Sequence, residues 1–342
     1  MNREQLVRTA KAMVAPGKGI LAADESQGTI AKYFATVGVG STEQTRRDYR
    51  ELLFRAQHAI SKFISGVILY DETIRQTAVD GTPMIKLIRT AGAIPGIKVD
   101  LGAKALANFP GETITEGLDG LRDRLVDYHR LGARFAKWRA AIDIDARQNI
   151  PTQFAITENA HALARYAALC QSADLVPIVE PEVLMNGDHD IERCAEVTSS
   201  VLKSVFNQLY ESRVFLEGLV LKPNMILPGK KNPKRAHPQD VAVATIRVLK
   251  NCVPAAVPGV VFLSGGQSDL EATANLDAIN CLGGPWALSF SYGRALQSAT
   301  LKAWGGKPEN IASAQNVFAH RAHMNALATQ GRWAEKEERP AA

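Results

Sequence analysis

Short apolar runs recur along the chain, and each of them ends in polar or charged residues. Apolar residues within a run are nearly continuous rather than alternating, which is typical of parallel strands covered on both faces. The pattern predicts eight strands, at residues 19–25, 67–71, 94–100, 134–139, 176–182, 214–224, 260–266 and 286–293.

Helical spacing fills the intervals between these runs. Apolar residues recur there every three or four positions, as on the buried face of a helix. One such face carries Ile191, Cys194, Thr198, Val201, Val205 and Leu209, a second carries Ile311, Ala314, Phe318 and Ala322, and an N-terminal one carries Leu6, Val7, Ala10, Met13 and Val14. Alternating strands and helices favour a parallel sheet with helices on its faces.

Eight strand–helix units indicate an α/β protein with a closed (β/α)8 (TIM) barrel. The residues that end successive strands, from Asp24 to Ser291, are separated by 47, 27, 39, 43, 42, 42 and 27 positions, which suits a barrel with insertions. An open doubly wound sheet is the alternative, but it usually has a Gly-rich fingerprint after the first strand. We predict a single catalytic barrel domain over residues 1–331 and a polar tail over residues 332–342, and we expect the polar segment from Gln330 onward to fray.

Composition narrows the class further. The chain has 342 residues, of which 46% are hydrophobic and 22% charged, and this is typical of a globular protein. It lacks a run of about twenty apolar residues and an apolar signal core, so we expect a cytoplasmic protein without a membrane partner. The four cysteines are widely spaced, which argues for reduced thiols and against structural zinc.

A net charge of +5 permits anionic partners, including phosphorylated metabolites. The basic residues are dispersed, and the one dense run, at residues 230–235, is interpreted as a solvated loop. No strand combines aromatic and basic residues, so we expect no nucleic-acid partner. His320 and His323 are interpreted as a surface pair, and we predict neither a metal site nor a cofactor.

Lys222 is the most informative residue, because it ends a long apolar run and is followed by Pro223. Lys and Pro are unfavourable in the interior of a strand, so the strand should stop there. A neutral amine in such a half-apolar place attacks carbonyls and forms an imine. The alternative is a lysine whose stem packs on apolar surface while its ammonium reaches water.

Charged residues at the other strand ends favour the chemical interpretation. In a barrel, functional side chains gather where the strands end, and residues two apart on one strand share a face. Glu180 is well suited there to pass protons during imine formation. The alternative is a set of structural ion pairs. The residues in question are Asp24, Lys98 and Asp100, Lys137 and Arg139, Glu180 and Glu182, and Lys222 and Asn224.

Small residues follow the last two strands, where barrels commonly bind phosphate through backbone N–H groups and a helix N-terminus. Ser264 and Gly265 follow the seventh strand, and Ser291, Gly293 and Arg294 follow the eighth. Tight glycine turns would explain either loop alone. The two loops together predict a phosphate site.

The chain resembles the class I fructose-bisphosphate aldolases from about residue 17 to about residue 331. The resemblance is carried by GKGILAADES, GVILYDET, GIKVDLG, FAKWR, ENAHALARYA, VPIVEPE, GDHD, LEGLVLKPNM, FLSGGQS, WALSFSYGRALQ and LKAWGGKPEN. It implies a metal-independent (β/α)8 barrel, often a homotetramer. It also implies reversible cleavage of fructose 1,6-bisphosphate into dihydroxyacetone phosphate and glyceraldehyde 3-phosphate. The rivals are another lysine-dependent enzyme of sugar phosphates and a barrel without turnover.

The resemblance also implies roles for single residues. Lys222 matches the Schiff-base lysine, and Glu180 matches the acid/base of carbinolamine dehydration. Asp24 matches the aspartate that handles the C4 hydroxyl proton, and Lys137 matches a lysine that orients charged intermediates. The pocket for the ketose phosphate is matched by Ser264, Gly265, Ser291, Gly293 and Arg294, and the other phosphate or the sugar hydroxyls by Ser26, Lys98 and Arg139.

Two departures from the family pattern bear on substrate preference. Tyr33 stands where animal members carry a phosphate-binding arginine. The chain ends in RPAA, whereas those members end in a tyrosine that aids proton transfer. Both departures concern rate and the preference for bisphosphate over monophosphate, and they leave the expected reaction unchanged.

Overall fold

The computed structural model describes residues 1–338 of the chain. Eight parallel strands form a closed barrel in the order β1-β10-β9-β8-β7-β6-β3-β2, and β4 and β5 form a separate antiparallel hairpin that the sequence did not predict. The (β/α)8 barrel is therefore confirmed. The strands are β1 Gly19–Ala23, β2 Ile64–Leu69, β3 Ile94–Lys98, β4 Ala103–Ala105, β5 Thr113–Thr115, β6 Phe135–Ile142, β7 Val176–Val183, β8 Val220–Leu221, β9 Gly259–Phe262 and β10 Ala287–Tyr292.

Helices surround the barrel, and the predicted apolar faces are buried except at Val7 and Ile191, which are partly exposed, and Ile311, which is 39% exposed. Short 3-10 turns lie at Leu216–Gly218, Pro308–Asn310 and Glu335–Glu338. The helices are α1 Arg3–Met13, α2 Gln27–Ala35, α3 Glu43–Phe54, α4 Gln57–Phe63, α5 Asp71–Arg75, α6 Met84–Thr90, α7 Leu121–Leu131, α8 Gln153–Ser172, α9 Ile191–Glu211, α10 Pro238–Cys252, α11 Asp269–Leu282, α12 Arg294–Trp304 and α13 Ile311–Ala328.

Large side chains pack against glycines on both faces of the barrel sheet. In the interior, a methyl group on Gly96 would lie 2.2 Å from the Phe135 ring, and on the outer face one on Gly19 would lie 2.4 Å from the Phe290 ring. Helix α1 packs its buried face into the same interior cluster as Phe135. The N-terminal end of the barrel is thereby filled with apolar side chains, and the charged residues lie at the opposite end.

Strand β8 is much shorter than the predicted strand at 214–224. The chain forms a 3-10 turn at Leu216–Gly218 before the strand begins. The Gln171 carboxamide holds this turn, since the Phe215 N–H donates to Gln171 Oε1 at 2.9 Å and Gln171 Nε2 donates to the Phe215 carbonyl at 2.7 Å. The Lys222 N–H still donates to the Val179 carbonyl at 2.8 Å, so Lys222 remains aligned with β7.

The expected fraying after residue 330 is wrong as far as residue 338. The Trp333 N–H donates to Asp277 Oδ1 at 2.8 Å, and Trp333 Nε1 donates to Glu338 Oε1 at 2.9 Å. Arg321 on α13 pairs with Glu338 at 2.5 Å. The tail ending RPAA lies outside the described residues, and the domain boundary at 331 stays a prediction.

No helix within residues 1–338 is both long and apolar enough to cross a bilayer.

Candidate active site

Four buried charged side chains form a continuous line across the mouth of the barrel. Lys222 Nζ lies 3.1 Å from Glu180 Oε1. Lys137 Nζ lies 3.2 Å from Glu180 Oε2 and 2.8 Å from Asp24 Oδ2. Each of the four residues is at most 7% exposed. The structure thus brings together the four residues that the sequence singled out as catalytic candidates.

The closed barrel explains why residues so distant in sequence meet. Asp24 follows the last residue of β1, Lys137 lies in β6, Glu180 lies in β7 and Lys222 follows β8. β6 and β7 are neighbours, with Arg139 opposite Glu180, and β7 and β8 are neighbours in turn. Side chains that point inward from successive strands are packed in layers, so their charged ends share one small volume.

Asp24 is a buried carboxylate that stays ionised. Burial acts to raise its pKa, but the charges of Lys137 and Lys222 outweigh burial and hold the pKa below the ordinary value. Asp24 is therefore a carboxylate at neutral pH, and it can accept hydrogen bonds or a proton from a ligand.

The pKa of Glu180 is lowered like that of Asp24, whereas the pKa of Lys137 is raised. Burial acts to raise the pKa of Glu180, but Lys137, Lys222 and Arg139 lower it overall. Burial acts to lower the pKa of Lys137, but Asp24 and Glu180 raise it well above its usual range. Lys137 is therefore a fixed cation, whereas Glu180 lies between two amines and is positioned to exchange protons with the nearer substrate atoms.

Ser26, Lys98 and Arg139 line a cleft of about 540 Å³ at the same mouth. Lys98 Nζ lies 2.6 Å from Asp100 Oδ1, and Arg139 pairs with Glu182. Both cations are thus oriented by an acidic partner on a strand end. Their unused N–H donors, together with the Ser26 hydroxyl, suit an anionic or polyhydroxylated ligand.

The residues after β9 and β10 form the second polar region of the mouth. Ser264 and Ser291 are buried, and the Ser291 hydroxyl has no hydrogen-bond partner within residues 1–338. Gly265 has a φ of +55°, a backbone conformation that favours glycine. Gly293 caps α12, and Arg294 is its first residue, so helix N–H groups point to the mouth here.

One buried network beside this region was not predicted from the sequence. Arg50 Nη2 lies 2.7 Å from Glu25 Oε2, and Gln297 Nε2 donates to Glu25 Oε1 at 2.9 Å and to the Ala22 carbonyl at 2.8 Å. The network fastens the first turns of α12 to the end of β1. Glu25 was visible next to Asp24, but nothing in the helical pattern of α3 marked Arg50 as different from the other charged residues of that helix.

Tyr33 and Arg294 line a smaller cleft of about 340 Å³ beside α12. Burial raises the pKa of Tyr33, and the charge of Arg294 opposes that rise. Tyr33 is therefore a neutral hydroxyl next to the Arg294 guanidinium.

The two histidines noted in the sequence, His320 and His323, make their contacts from α13. His320 Nε2 lies 3.4 Å from Glu338 Oε2, and the His323 ring stacks on Phe63 at 4.9 Å between centroids. Within the described part of the chain, no three His, Cys, Asp or Glu side chains are grouped so that they could hold a metal ion.

A closed (β/α)8 barrel with a buried lysine, a carboxylate in contact with it and two polar regions at its mouth fits one class of protein, the lyases that act on phosphorylated carbonyl compounds. Comparison with known proteins gives the family. The profile of the family "Fructose-bisphosphate aldolase class-I" matches residues 5–342. The chain belongs to the class I fructose-bisphosphate aldolase family. It is a lyase that reversibly cleaves fructose 1,6-bisphosphate through a Schiff base.

Relatives match over nearly the whole chain. A "Probable fructose-bisphosphate aldolase class 1" of Xanthomonas campestris is 56% identical, over 97% of this chain and 99% of the relative. "Fructose-bisphosphate aldolase 4, cytosolic" of Arabidopsis thaliana is 54% identical, over 96% of this chain and 83% of the relative. A solved structure of the Plasmodium falciparum aldolase, in complex with TRAP and a small-molecule inhibitor, has a TM-score of 0.95 at 51% identity, covering 97% of this chain and 95% of that one.

Proposed function

We propose that Lys222 forms the imine with the C2 carbonyl of the ketose and that Glu180 is its proton-transfer partner. The observation that carries this assignment is the 3.1 Å contact between Lys222 Nζ and Glu180 Oε1 in a buried setting. Of the two mouth lysines, Lys137 is held as a cation between two carboxylates. Among the described residues, one carboxylate lies within ion-pair distance of Lys222, which is therefore the lysine better suited to act as a nucleophile.

The proposed steps conserve atoms and protons. Glu180 accepts a proton from the Lys222 ammonium, and the resulting amine adds to C2 while one of its N–H protons passes to the oxygen, which gives the carbinolamine. The carbinolamine hydroxyl then takes the proton held by Glu180 and leaves as water, so the product is the iminium and Glu180 is again a carboxylate. The C3–C4 bond then breaks while Asp24 takes the proton of the C4 hydroxyl. The bonding electrons pass into the iminium as an enamine, and glyceraldehyde 3-phosphate leaves.

Lys137 has a positioning role in this scheme. Its ammonium contacts both Asp24 and Glu180, so it keeps two carboxylates close together without mutual repulsion. It also stabilises negative charge that develops on the substrate oxygens during addition and cleavage.

Binding of the two phosphates orients the substrate along this line of charges. We assign the phosphate of the ketose end to Ser264, Gly265, Ser291, Gly293 and Arg294. Ser26, Lys98 and Arg139 are assigned to the other phosphate or to the sugar hydroxyls. Binding energy from these remote groups holds C2 next to Lys222 and C4 next to Asp24.

We further propose a cytoplasmic enzyme of glycolysis and gluconeogenesis that assembles as a homotetramer. The cytosolic location named for the Arabidopsis relative and the family resemblance support this proposal. Light scattering during size-exclusion chromatography at micromolar protein tests the assembly, and a mass near 37.1 kDa would exclude the tetramer.

Borohydride trapping tests the chemical assignment. The protein is incubated with dihydroxyacetone phosphate, reduced and digested, and peptides are measured by mass spectrometry. We expect an adduct on Lys222 that requires the reductant, no adduct in Lys222→Met, and an unchanged adduct in Lys231→Met, which removes an exposed lysine. An adduct on Lys137 instead, or turnover of Lys222→Met near the wild-type rate, would refute the assignment. Cleavage rates with fructose 1-phosphate and the bisphosphate give the substrate preference.

A further inference from the structure

Lys230 lies in the loop after β8 and reaches the turn that follows β9. Its N–H donates to the Met185 carbonyl at 2.9 Å, which fixes the loop against the end of β7. Its side chain extends to Gly266, where a methyl group would lie 2.3 Å from Lys230 Nζ and 3.5 Å from Arg294 Nη2. Two cations, one from a loop and one from the start of α12, therefore converge on one glycine. The lysine belongs to the run interpreted from sequence as a solvated loop.

Neither cation has an ion-pair partner among the described residues. Within residues 1–338, no carboxylate oxygen lies within 4.0 Å of either Lys230 or Arg294. Two like charges brought together without a counter-charge repel one another, and a bound anion removes that repulsion.

The backbone at the same point also suits an anion. Gly265 and Gly266 follow one another with φ values of +55° and +81°. Successive backbone N–H groups in such turns form a concave donor surface that binds anions. Gly265, Gly266 and Lys230 line one cleft of about 560 Å³.

We propose that Lys230 binds the phosphate of the ketose end together with Arg294, as a further substrate-binding residue outside the strand ends. This inference rests on the proposed function, because it adds to the phosphate pocket assigned there. A lysine acts at such a site as a mobile point charge, whereas arginine offers a fixed fork, so the two cations contribute differently to one phosphate.

Steady-state kinetics in the condensation direction test the inference, since that direction separates the two phosphates. We expect Lys230→Met to raise KM for dihydroxyacetone phosphate about fivefold, the upper range for an exposed charge pair, and to leave KM for glyceraldehyde 3-phosphate unchanged. Because the contact exists before and during the reaction, kcat should stay within about twofold of wild type. Lys230→Arg should restore most of the affinity.

Lys231→Met is the matched control, because it removes the adjacent exposed lysine of the same loop, which does not line the cleft. We expect wild-type constants for it. Equal effects of the two substitutions, or a KM for dihydroxyacetone phosphate that is unchanged in Lys230→Met, would overturn the inference. A rise in KM for both substrates together with a fall in thermal stability would also overturn it, since that result indicates a loop-packing role.

Imine trapping gives a second readout and separates this inference from the assignment of Lys222. The concentration of dihydroxyacetone phosphate that gives half-maximal adduct on Lys222 should rise in Lys230→Met, whereas trapping with unphosphorylated dihydroxyacetone should not change. If wild type forms the Lys222 adduct and Lys230→Met reaches half-maximal adduct at the same concentration of dihydroxyacetone phosphate, only the role of Lys230 is refuted. Absence of any Lys222 adduct in wild type refutes the proposed function.

Discussion

Removal of the Lys137 ammonium should have a large effect on stability that depends on pH. Lys137→Met keeps most of the side-chain volume but leaves Asp24 and Glu180 buried without the cation that contacts both at 2.8 and 3.2 Å. Lys222 remains at 3.1 Å from Glu180 and compensates that carboxylate in part. Asp24 loses its one ion-pair partner within residues 1–338.

The expected loss is about 3–5 kcal/mol in the free energy of unfolding at pH 7, the range for removing one member of a buried ion pair. Each contact near 3 Å has a gross attraction of about 5 kcal/mol at an effective dielectric constant near 20, and the cost of burying the ammonium offsets part of it. In wild type the pKa values of Asp24 and Glu180 are lowered, so their contribution is present above the unfolded-state range and is lost as pH falls through the folded values.

Without Lys137, burial dominates and the carboxylates take up protons at higher pH than in wild type. A protonated carboxyl group needs no cation, so the difference between variant and wild type should shrink as pH falls from 7 to 4.5. Urea unfolding followed by circular dichroism at several pH values measures this difference. Lys231→Met should change stability by less than about 0.5 kcal/mol throughout.

The Asp24→Asn background provides the decisive comparison. There, Lys137→Met leaves one buried carboxylate rather than two, so its cost should fall by roughly half. Lys137→Met in the otherwise wild-type protein could instead lower the free energy of unfolding by less than about 1 kcal/mol, or by the same amount at pH 7 and pH 4.5. Either result would show that Lys137 does not stabilise the two buried carboxylates.

Three further predictions concern chemistry, packing and pH. Glu180→Gln should lower kcat about 10²–10⁴-fold while dihydroxyacetone phosphate still binds, measured by stopped-flow trapping of the imine; an unchanged rate would remove Glu180 from proton transfer. Gly96→Ala should cost about 1–3 kcal/mol of stability because its methyl group meets Phe135, and Phe135→Leu should recover part of the loss; a neutral Gly96→Ala would contradict the packing. His189 is buried with both ring nitrogens unbonded within residues 1–338, and burial lowers its pKa against the opposing charges of Asp143, Asp188 and Asp190. Its contribution to stability is therefore complete above about pH 6.5 and is lost at lower pH, so His189→Phe should weaken the pH dependence of the melting temperature below 6.5.

The barrel and the meeting of its charged residues follow from patterns that are local in sequence. Nearly continuous apolar runs define the strands, and a closed barrel brings all strand ends to one mouth. Asp24 and Lys222 therefore approach the same point even though almost two hundred residues separate them. The chemical roles assigned to them stay predictions until the trapping experiment is done.

Tertiary contacts explain what the sequence patterns missed. The predicted strand at 214–224 shortened because the Gln171 side chain, from a distant helix, captures the backbone at Phe215. The segment at residues 332–338 looked too polar to pack, but Glu338 is bound by Arg321 and Trp333. Lys230 is exposed, as expected for a solvated loop, but nothing near it in sequence shows that its loop approaches Gly266.

Pairing of β1 with β10 has a consequence for synthesis of the chain. Ile20 and Leu21 pair with Ser291 and Tyr292, which are made about 270 residues later. At a translation rate of about 5–20 residues per second, β10 is synthesised roughly 15–50 s after β1, and one edge of β1 stays unpaired for that time. During this time a ribosome-bound chain can complete the line of charges at the ends of β1, β6, β7 and β8 but not the loop after β10. The pocket assigned to the ketose phosphate is thus the last part of the mouth to form, and substrate can be held there only once the last strand has sealed the sheet.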